Sequence, residues 1–320
     1  MASGEFDLIA RYFRGLGACR DDVLLGVGDD AALVLPAPGE AVVLCVDTLV
    51  ADVHFPLDAP AASVGHKVLA VNLSDLAAMG AQPAWALLSL TLPETNDAWL
   101  AEFARGFSAL ACDAGVALVG GDLTRGALCA TVQVGGTVPP EQALRRDGAR
   151  VGDAVYVTGT LGDAASGLAL WQGGEPRRDA DAVLIERLHR PTPRVNFGTA
   201  LRGIATAAID ISDGLAADLG HILQASNVGA SLDVDAVPQS AALQARFPAE
   251  QRLRWALAGG DDYELCVIAP PEQEAALEAA AQAENLRLTR IGVIEREPGL
   301  RLQRADGSVV TLERGGWQHF

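Results

Sequence analysis

"SVGHKVLAVNLSDLAAMGAQPAWALLSLTL", residues 63–92, changes its apolar period from helical to extended within one short stretch. Its first half sets Val64, Val68 and Val71 on one face at helical spacing and carries Asp75 inside the same pattern. Its second half, from Ala84 onward, is an apolar run that reads as a buried strand. A helix that feeds directly into a buried strand is the unit of an α/β or α+β protein, and the flanking segments repeat it. Upstream, "EFDLIARYF" puts Phe6, Ile9 and Phe13 on one helical face, and "AVVLCVD" is a β-rich run that predicts Asp47 at a strand end. Downstream follow a helix in "DAWLAEFARGFSALACDAG" and strands in "VALVGGD" and "LCATVQVGGTVP".

Around "VPPEQALRRDGARVGD", residues 138–153, the composition turns to Pro, Gly and charge, which places a boundary between a domain at 1–140 and one at 150–320. A second set of elements follows: strand "AVYVTG", the turn and helix of "TLGDAASGLAL", an apolar lead-in to "DISDGLAADLGHIL", the turn "AGGDDYEL" before strand "LCVIA", and helix "EQEAALEAAAQAE". The glycines of "GTLGDAASGL" do not make a phosphate loop, because no lysine follows them and the dinucleotide spacing is absent. They read as a tight strand-to-helix turn.

The chain has 320 residues, half of them apolar, enough for two domains with their own cores. No stretch reaches the roughly 18 apolar residues of a membrane span, and the first residues lack the basic start and apolar core of a signal peptide, so a cytoplasmic protein is expected. Five cysteines, Cys19, Cys45, Cys112, Cys129 and Cys266, show no C-x-x-C pair and read as small core residues. A formal net charge of −17 opposes nucleic acid and anionic membranes as partners. It leaves room for a nucleotide wherever metal ions invert the local sign.

Aspartate recurs at the ends of apolar runs, often beside glycine: Asp29 and Asp30 in "GVGDDAA", Asp47, Asp75, Asp122, Asp210 with Asp213, and Asp261 with Asp262. Each taken alone reads as a turn or cap residue. Two adjacent carboxylates repel by about 4 kcal/mol at the effective dielectric of a protein surface, and so many of them in a chain without a Cys or His cluster favour an oxygen-lined magnesium site over zinc. Magnesium held by a few carboxylates and waters is typical of sites that also hold phosphates. Lys67, Arg125 and Arg146 adjoin these motifs and are candidate cations for such a site, each reading equally as a solvated surface residue. His54 follows the Asp47 strand and is placed to meet a ligand, whereas His66, His189, His221 and His319 read as incidental.

Eight segments in order, "GEFDLIARYF", "GVGDDAA", "VDTLVADVHF", "GHKVLAVNLSDLAAMGAQP", "LVGGDLTRG", "VYVTGTLGDAASGL", "AIDISDGLAADL" and "GGDDYEL", resemble the thiamine-monophosphate kinase family, of the superfamily that holds aminoimidazole ribonucleotide synthetase and selenophosphate synthetase. The resemblance implies ATP-dependent transfer of the γ-phosphate to thiamine monophosphate, giving thiamine diphosphate and ADP. It implies an N-terminal sheet domain that binds ATP and magnesium and dimerises, a C-terminal α/β domain, and ATP with several magnesium ions between them. By position, Asp30, Asp47, Asp75, Asp122, Asp210 and Asp213 match the metal ligands, Gly121, Asp122, Arg146 and Ser212 the ATP contacts, and His54, Asp261 and Trp317 the thiamine-phosphate side. Cys45 and Val46 stand where the family often has Ser or Thr, and Asp261 stands where its motif usually has Glu.

No general base is expected, since the acceptor is already an ionised phosphate oxygen and catalysis reduces to positioning and charge neutralisation. The selenophosphate sibling typically needs a reactive Cys or selenocysteine in an N-terminal glycine-rich loop, and the hydrogenase-maturation sibling a cysteine-bearing tail; this chain shows neither, ending in "GGWQHF". An amidine cyclase of the same superfamily, and a nucleotide-and-magnesium sensor without turnover, are the alternatives that product analysis and ADP release separate.

Overall fold

The computed structural model describes residues 5–173, 179, 181–312 and 315–317. It divides into two compact units, Met1–Leu76 with Ala81–Glu141, and Ala77–Gly80 with Gln142–Phe320. His319 lies outside the described residues.

The first unit runs α1 (Glu5–Tyr12), β1 (Val23–Leu25), β2 (Leu33–Val34), β3 (Ala41–Val50), α2 (Ala61–Ala78, whose last turn belongs with the second unit), β4 (Gln82–Leu92), α3 (Asp97–Asp113), β5 (Ala117–Arg125) and β6 (Cys129–Val138). Its four-stranded sheet has the order β3-β6-β4-β5, with β4 and β5 parallel and the other pairs antiparallel. A parallel pair needs a crossover, and α3 supplies it. Helices α2 and α3 cover one face of the sheet so closely that only glycine fits where they cross. A Cβ on Gly65 would lie 2.0 Å from the carbonyl oxygen of Phe103, and one on Gly106 would lie 1.8 Å from that of Ala62. Val64, Val68 and Val71 are buried as their spacing predicts.

Register fixes the sheet's two faces. Asp47, Val132 and Leu88 share one row, and Thr48, Thr131, Ser89 and Asp122 share the next. Because successive side chains alternate across a strand, the first row faces the helices and the second faces away. Val132 and Leu88 are buried accordingly. Two expectations change here: β3 and β5 run on past Asp47 and Asp122, so neither aspartate sits at a strand end. Polar residues inside a strand look like terminators in a sequence, but ladder hydrogen bonds carry these strands through them. The away face of edge strand β3 shows Val42, Leu44 and Val46, at 47%, 62% and 59% exposure.

Phe6 and Ile9 of α1, with Phe13 just beyond it, line a cavity; Phe6 is 82% exposed, Phe13 is buried at 6%, and within the helix Leu8 is buried at 2%. The cysteines also depart from expectation: only Cys266 is buried, Cys45 and Cys129 are half-buried, and Cys19 and Cys112 are exposed.

The second unit contains β7 (Ala154–Thr158), α4 (Asp163–Gln172), α5 (Asp181–His189), α6 (Val195–Ala200), β8 (Ala207–Asp210), α7 (Leu215–Ser226), β9 (Gly229–Asp233), α8 (Ala241–Arg246), α9 (Ala249–Ala258), β10 (Leu265–Ala269), α10 (Glu274–Ala283), β11 (Leu288–Glu295) and β12 (Gly299–Gln303). Its six-stranded sheet has the order β12-β9-β11-β7-β10-β8, with only the β12–β9 pair parallel. Strands β7, β8 and β10 are buried at every residue; β10 is apolar throughout, while β7 and β8 end in the buried polar residues Thr158 and Asp210. Val155, Val157, Ile209 and Ile268 join Leu219 and Ile222 of α7 in the main core. No described helix is long and apolar enough to cross a membrane.

Candidate active site

On the helix-facing side of the first sheet, Asp47 of β3 meets Asp75 of α2. Burial pushes the Asp47 carboxyl above its ordinary range, opposed by a hydrogen bond with Asp75 and by the field of His54. Cys45, two residues before Asp47 and on the same side of the strand, directs its thiol at the Asn72 carbonyl at 3.3 Å. Burial, then the neighbouring Asp75 and Asp47 carboxylates, push that thiol up, so it stays protonated. Val46 points to the opposite, exposed face. The two positions where Ser or Thr is usual are therefore turned to different sides.

The loop after β3 is built around Asp52, which has φ +63° and whose Oδ1 accepts the Leu57 N–H at 3.1 Å. It presents His54, whose Nδ1 accepts the Val50 N–H at 3.0 Å. Lys67, buried at 2%, donates to the His54 carbonyl at 3.1 Å, which fixes the loop, while Arg125 donates to the Pro93 carbonyl at 3.3 Å on an exposed rim.

On the sheet's other face a cavity of about 920 Å³ gathers Asp29, Asp30, Gly121 and Asp122 with the apolar side of α1. Asp29 accepts the backbone N–H of Asp30 at 2.8 Å, so the first carboxylate of the pair is spent on shaping the turn that presents the second. Gly121 has φ +150°, and a Cβ there would lie 1.8 Å from the Leu88 carbonyl oxygen; glycine is demanded by strand packing as well as by any ligand. The sheet thus separates Asp47 and Asp75 from Asp30 and Asp122. Among the described residues no three Asp, Glu, His or Cys side chains converge as a ready-made metal cage.

In the second unit, Asp210 ends β8, and the turn Ser212–Gly214 leads into α7. Asp218, one turn into that helix, accepts the backbone N–H groups of Ser212, Asp213 and Gly214 at 3.1, 3.1 and 3.0 Å through a single carboxylate oxygen. Burial, followed by the fields of Asp210 and Asp213, pushes Asp218 up to about 7, although those N–H groups oppose it. Asp261 donates its backbone N–H to the Ser212 carbonyl at 2.8 Å, and Trp317 donates its own to the Asp213 carbonyl at 3.0 Å. Ser212, Asp213, Asp261 and Trp317 therefore share one rim. Arg146 is tied by its backbone to the other end of α7, its carbonyl accepting the Ser226 hydroxyl at 2.8 Å.

The "GGDDYEL" segment splits by alternation. Asp262 and Glu264 point inward, where Asp262 accepts the Gly162 N–H at 2.8 Å and Glu264, with no exposure, accepts from Thr158 at 2.6 Å, Arg187 at 2.7 Å and Arg194 Nε at 2.7 Å. Burial holds Asp262 well above the usual carboxylate range, against the pull of the Gly162 N–H and Arg187. Asp261 and Tyr263 point outward with φ of +62° and +50°. A left-handed aspartate is tolerated, but a bulky aromatic there stores roughly 1–3 kcal/mol, strain of a kind that clusters at functional sites.

Two families of domain match the chain: AIR synthase related protein, N-terminal domain, over residues 28–138, and AIR synthase related protein, C-terminal domain, over residues 150–305. The thiamine-monophosphate kinase of Salmonella typhimurium is 49% identical over 323 residues, covering 100% of this chain and 99% of that protein. The chain belongs to the thiamine-monophosphate kinase family. The crystal structure of the thiamine-monophosphate kinase from Stenotrophomonas maltophilia superposes with a TM-score of 0.86 at 50% identity, over 91% of this chain and 93% of that one. AaThiL complexed with AMPPCP and TMP superposes with a TM-score of 0.78 at 33% identity, over 89% of each chain.

In this thiamine-monophosphate kinase family member two further acids matter besides the recurring aspartates: Asp218 and Glu264 lie inside the same motifs, each near a more obvious aspartate. A carboxylate four residues after the "DG" turn and in the first turn of a helix was the available signal for Asp218. Glu264 had none, because its partners Arg187 and Arg194 are 77 and 70 residues away.

Proposed function

We propose that the protein transfers the γ-phosphoryl group of ATP to the phosphate of thiamine monophosphate, releasing thiamine diphosphate and ADP. The observation that carries this reading is likeness over the full length to thiamine-monophosphate kinases, at 49% identity to that of Salmonella typhimurium. AaThiL, complexed with AMPPCP and TMP, supports the same pair of ligands.

The donor set suits magnesium. Asp47, whose carboxyl burial pushes up, is in hydrogen-bond contact with the Asp75 carboxyl, an arrangement in which a hard divalent cation can take a proton's place. In this reading Asp30, Asp47, Asp75, Asp122, Asp210 and Asp213 hold magnesium, Gly121, Asp122, Arg146 and Ser212 meet ATP, and His54, Asp261 and Trp317 meet thiamine monophosphate. Bound magnesium supplies neutralisation of phosphoryl charge. The chain's own part is positioning. The loop after β3 presents His54, and no side chain is needed to take a proton from an acceptor that is already ionised.

A coupled ADP assay tests the reading. With ATP and magnesium, thiamine monophosphate is expected to release ADP and free thiamine is not; comparable rates on thiamine, or no release at all, overturn it, the latter favouring a sensor or a cyclase. In the same assay, free magnesium raised above that needed to form magnesium-ATP is expected to raise the rate at fixed ionic strength. A flat response means that only the nucleotide-bound ion matters.

We assign a cytoplasmic homodimer to the same reading, the 1–140 domain being the one that pairs. Support comes from the apolar stripe Val42, Leu44 and Val46 on edge strand β3, continued across the sheet by half-exposed Leu87. Light scattering is expected to give twice the chain mass, and Leu44→Glu to halve it; a monomeric wild-type mass at assay concentration refutes the dimer.

A further inference from the structure

We propose that Tyr263 is a positioning residue that holds the Asp261 carboxylate for the thiamine side of the substrate; this rests on the function proposed above. The Tyr263 hydroxyl donates to Asp261 Oδ1 at 3.1 Å, two residues back along the chain. Such a contact is not available to neighbours in an ordinary strand, where i and i+2 side chains stand parallel and a phenol reaches well past an aspartate. Here it arises because Gly260, Asp261 and Tyr263 all adopt left-handed φ, of +69°, +62° and +50°.

The surroundings hold that conformation from both sides. Asp261 and Tyr263 donate their backbone N–H groups to the Ser212 and Ile211 carbonyls at 2.8 and 2.9 Å. Between and beyond them, Asp262 is tied to Gly162 and Glu264 to Thr158, Arg187 and Arg194. A Cβ on Gly260 would lie 2.6 Å from the Ser212 carbonyl oxygen, so the turn cannot relax through that position. Strain over-determined in this way has an evident product: a carboxylate, one methylene shorter than the family's usual glutamate, whose rotation is set by a phenol. Trp317 is anchored to Asp213 on the same rim. A fixed carboxylate suits a ring that bears a hydrogen-bond donor, which is the chemistry of an aminopyrimidine.

Steady-state kinetics of wild type, Tyr263→Phe, Asp261→Asn and the double variant test the assignment. Tyr263→Phe is expected to raise KM for thiamine monophosphate about tenfold, the worth of a hydrogen bond to a charged group, with kcat and KM for ATP within about twofold. The double variant is expected to be no worse than Asp261→Asn alone, because the hydroxyl acts only through that carboxylate. An unchanged KM in Tyr263→Phe, losses that multiply in the double variant, or loss of the cooperative melt in Tyr263→Phe overturns the proposal, since a hydroxyl that only orients Asp261 leaves the fold intact. Wild type without ADP release on thiamine monophosphate defeats the parent reading instead; an active wild type with an indifferent Tyr263→Phe defeats the positioning role alone.

Discussion

Asp47→Asn and Asp122→Asn are each expected to lower kcat on the order of 10²- to 10³-fold while the protein stays folded. The swap keeps shape and size and removes only the charge, so a metal-holding role and a structural role give different results. For Asp47 the sign of the stability change adds a second readout. Its charged form is disfavoured by burial, and that desolvation cost disappears in the amide. The Asp47→Asn variant is therefore expected to melt no lower than wild type while losing its activity. Asp122 is exposed on the opposite face of the sheet, and its replacement is expected to leave melting unmoved. Near-normal kcat in both variants would make the carboxylates structural. A loss confined to Asp47 would restrict the working site to the helix-facing side of the sheet.

Glu264→Ala is expected to destabilise the protein by about 3–5 kcal/mol, because it leaves two guanidinium groups without their carboxylate in a water-poor place. Arg187 and Arg194 are mostly buried and Glu264 is wholly so. For a unit of this size that is a fall in melting temperature of roughly 10 °C. Glu284, which accepts a hydrogen bond from Asn196 on the surface, serves as the control, and Glu284→Ala is expected to stay within about 0.5 kcal/mol of wild type. Equal, small effects in a urea or thermal melt would mean that water reaches the Glu264 cluster freely.

The elements were readable from the sequence because they rest on local period. Val64, Val68 and Val71 lie where a helical spacing puts them, and the all-buried strands β7 and β10 show as apolar runs in "AVYVTG" and "LCVIA". What depended on pairing was not readable. Asp47 and Asp122 look alike in sequence, each an acid at the close of an apolar run, and only the register of β3, β6, β4 and β5 reveals that they face opposite sides. Phe6 shows the same limit at helix level, since period predicts which residues share a side but not whether core or cavity lies beyond it. The candidate site residues came from motif order, whereas the groups that hold them, Asp218, Asp262 and Glu264, owe their roles to burial that no acidic letter announces.

Helix α7 carries its own carboxyl acceptor. The three N–H groups ahead of it would otherwise form a cradle for an incoming phosphate, and the positive end of the helix dipole would favour one there. Asp218 already occupies that cradle from within. A tethered carboxyl group is present at an effective concentration no free ligand reaches, so the turn bearing Ser212 and Asp213 stands assembled before any nucleotide arrives. The ordering entropy is settled once, during folding, and is not charged again at each turnover. The same occupancy makes the turn a poor phosphate trap, which directs recognition of a polyphosphate toward side chains and cations and away from the amide cluster that a first look at "DISDG" would nominate.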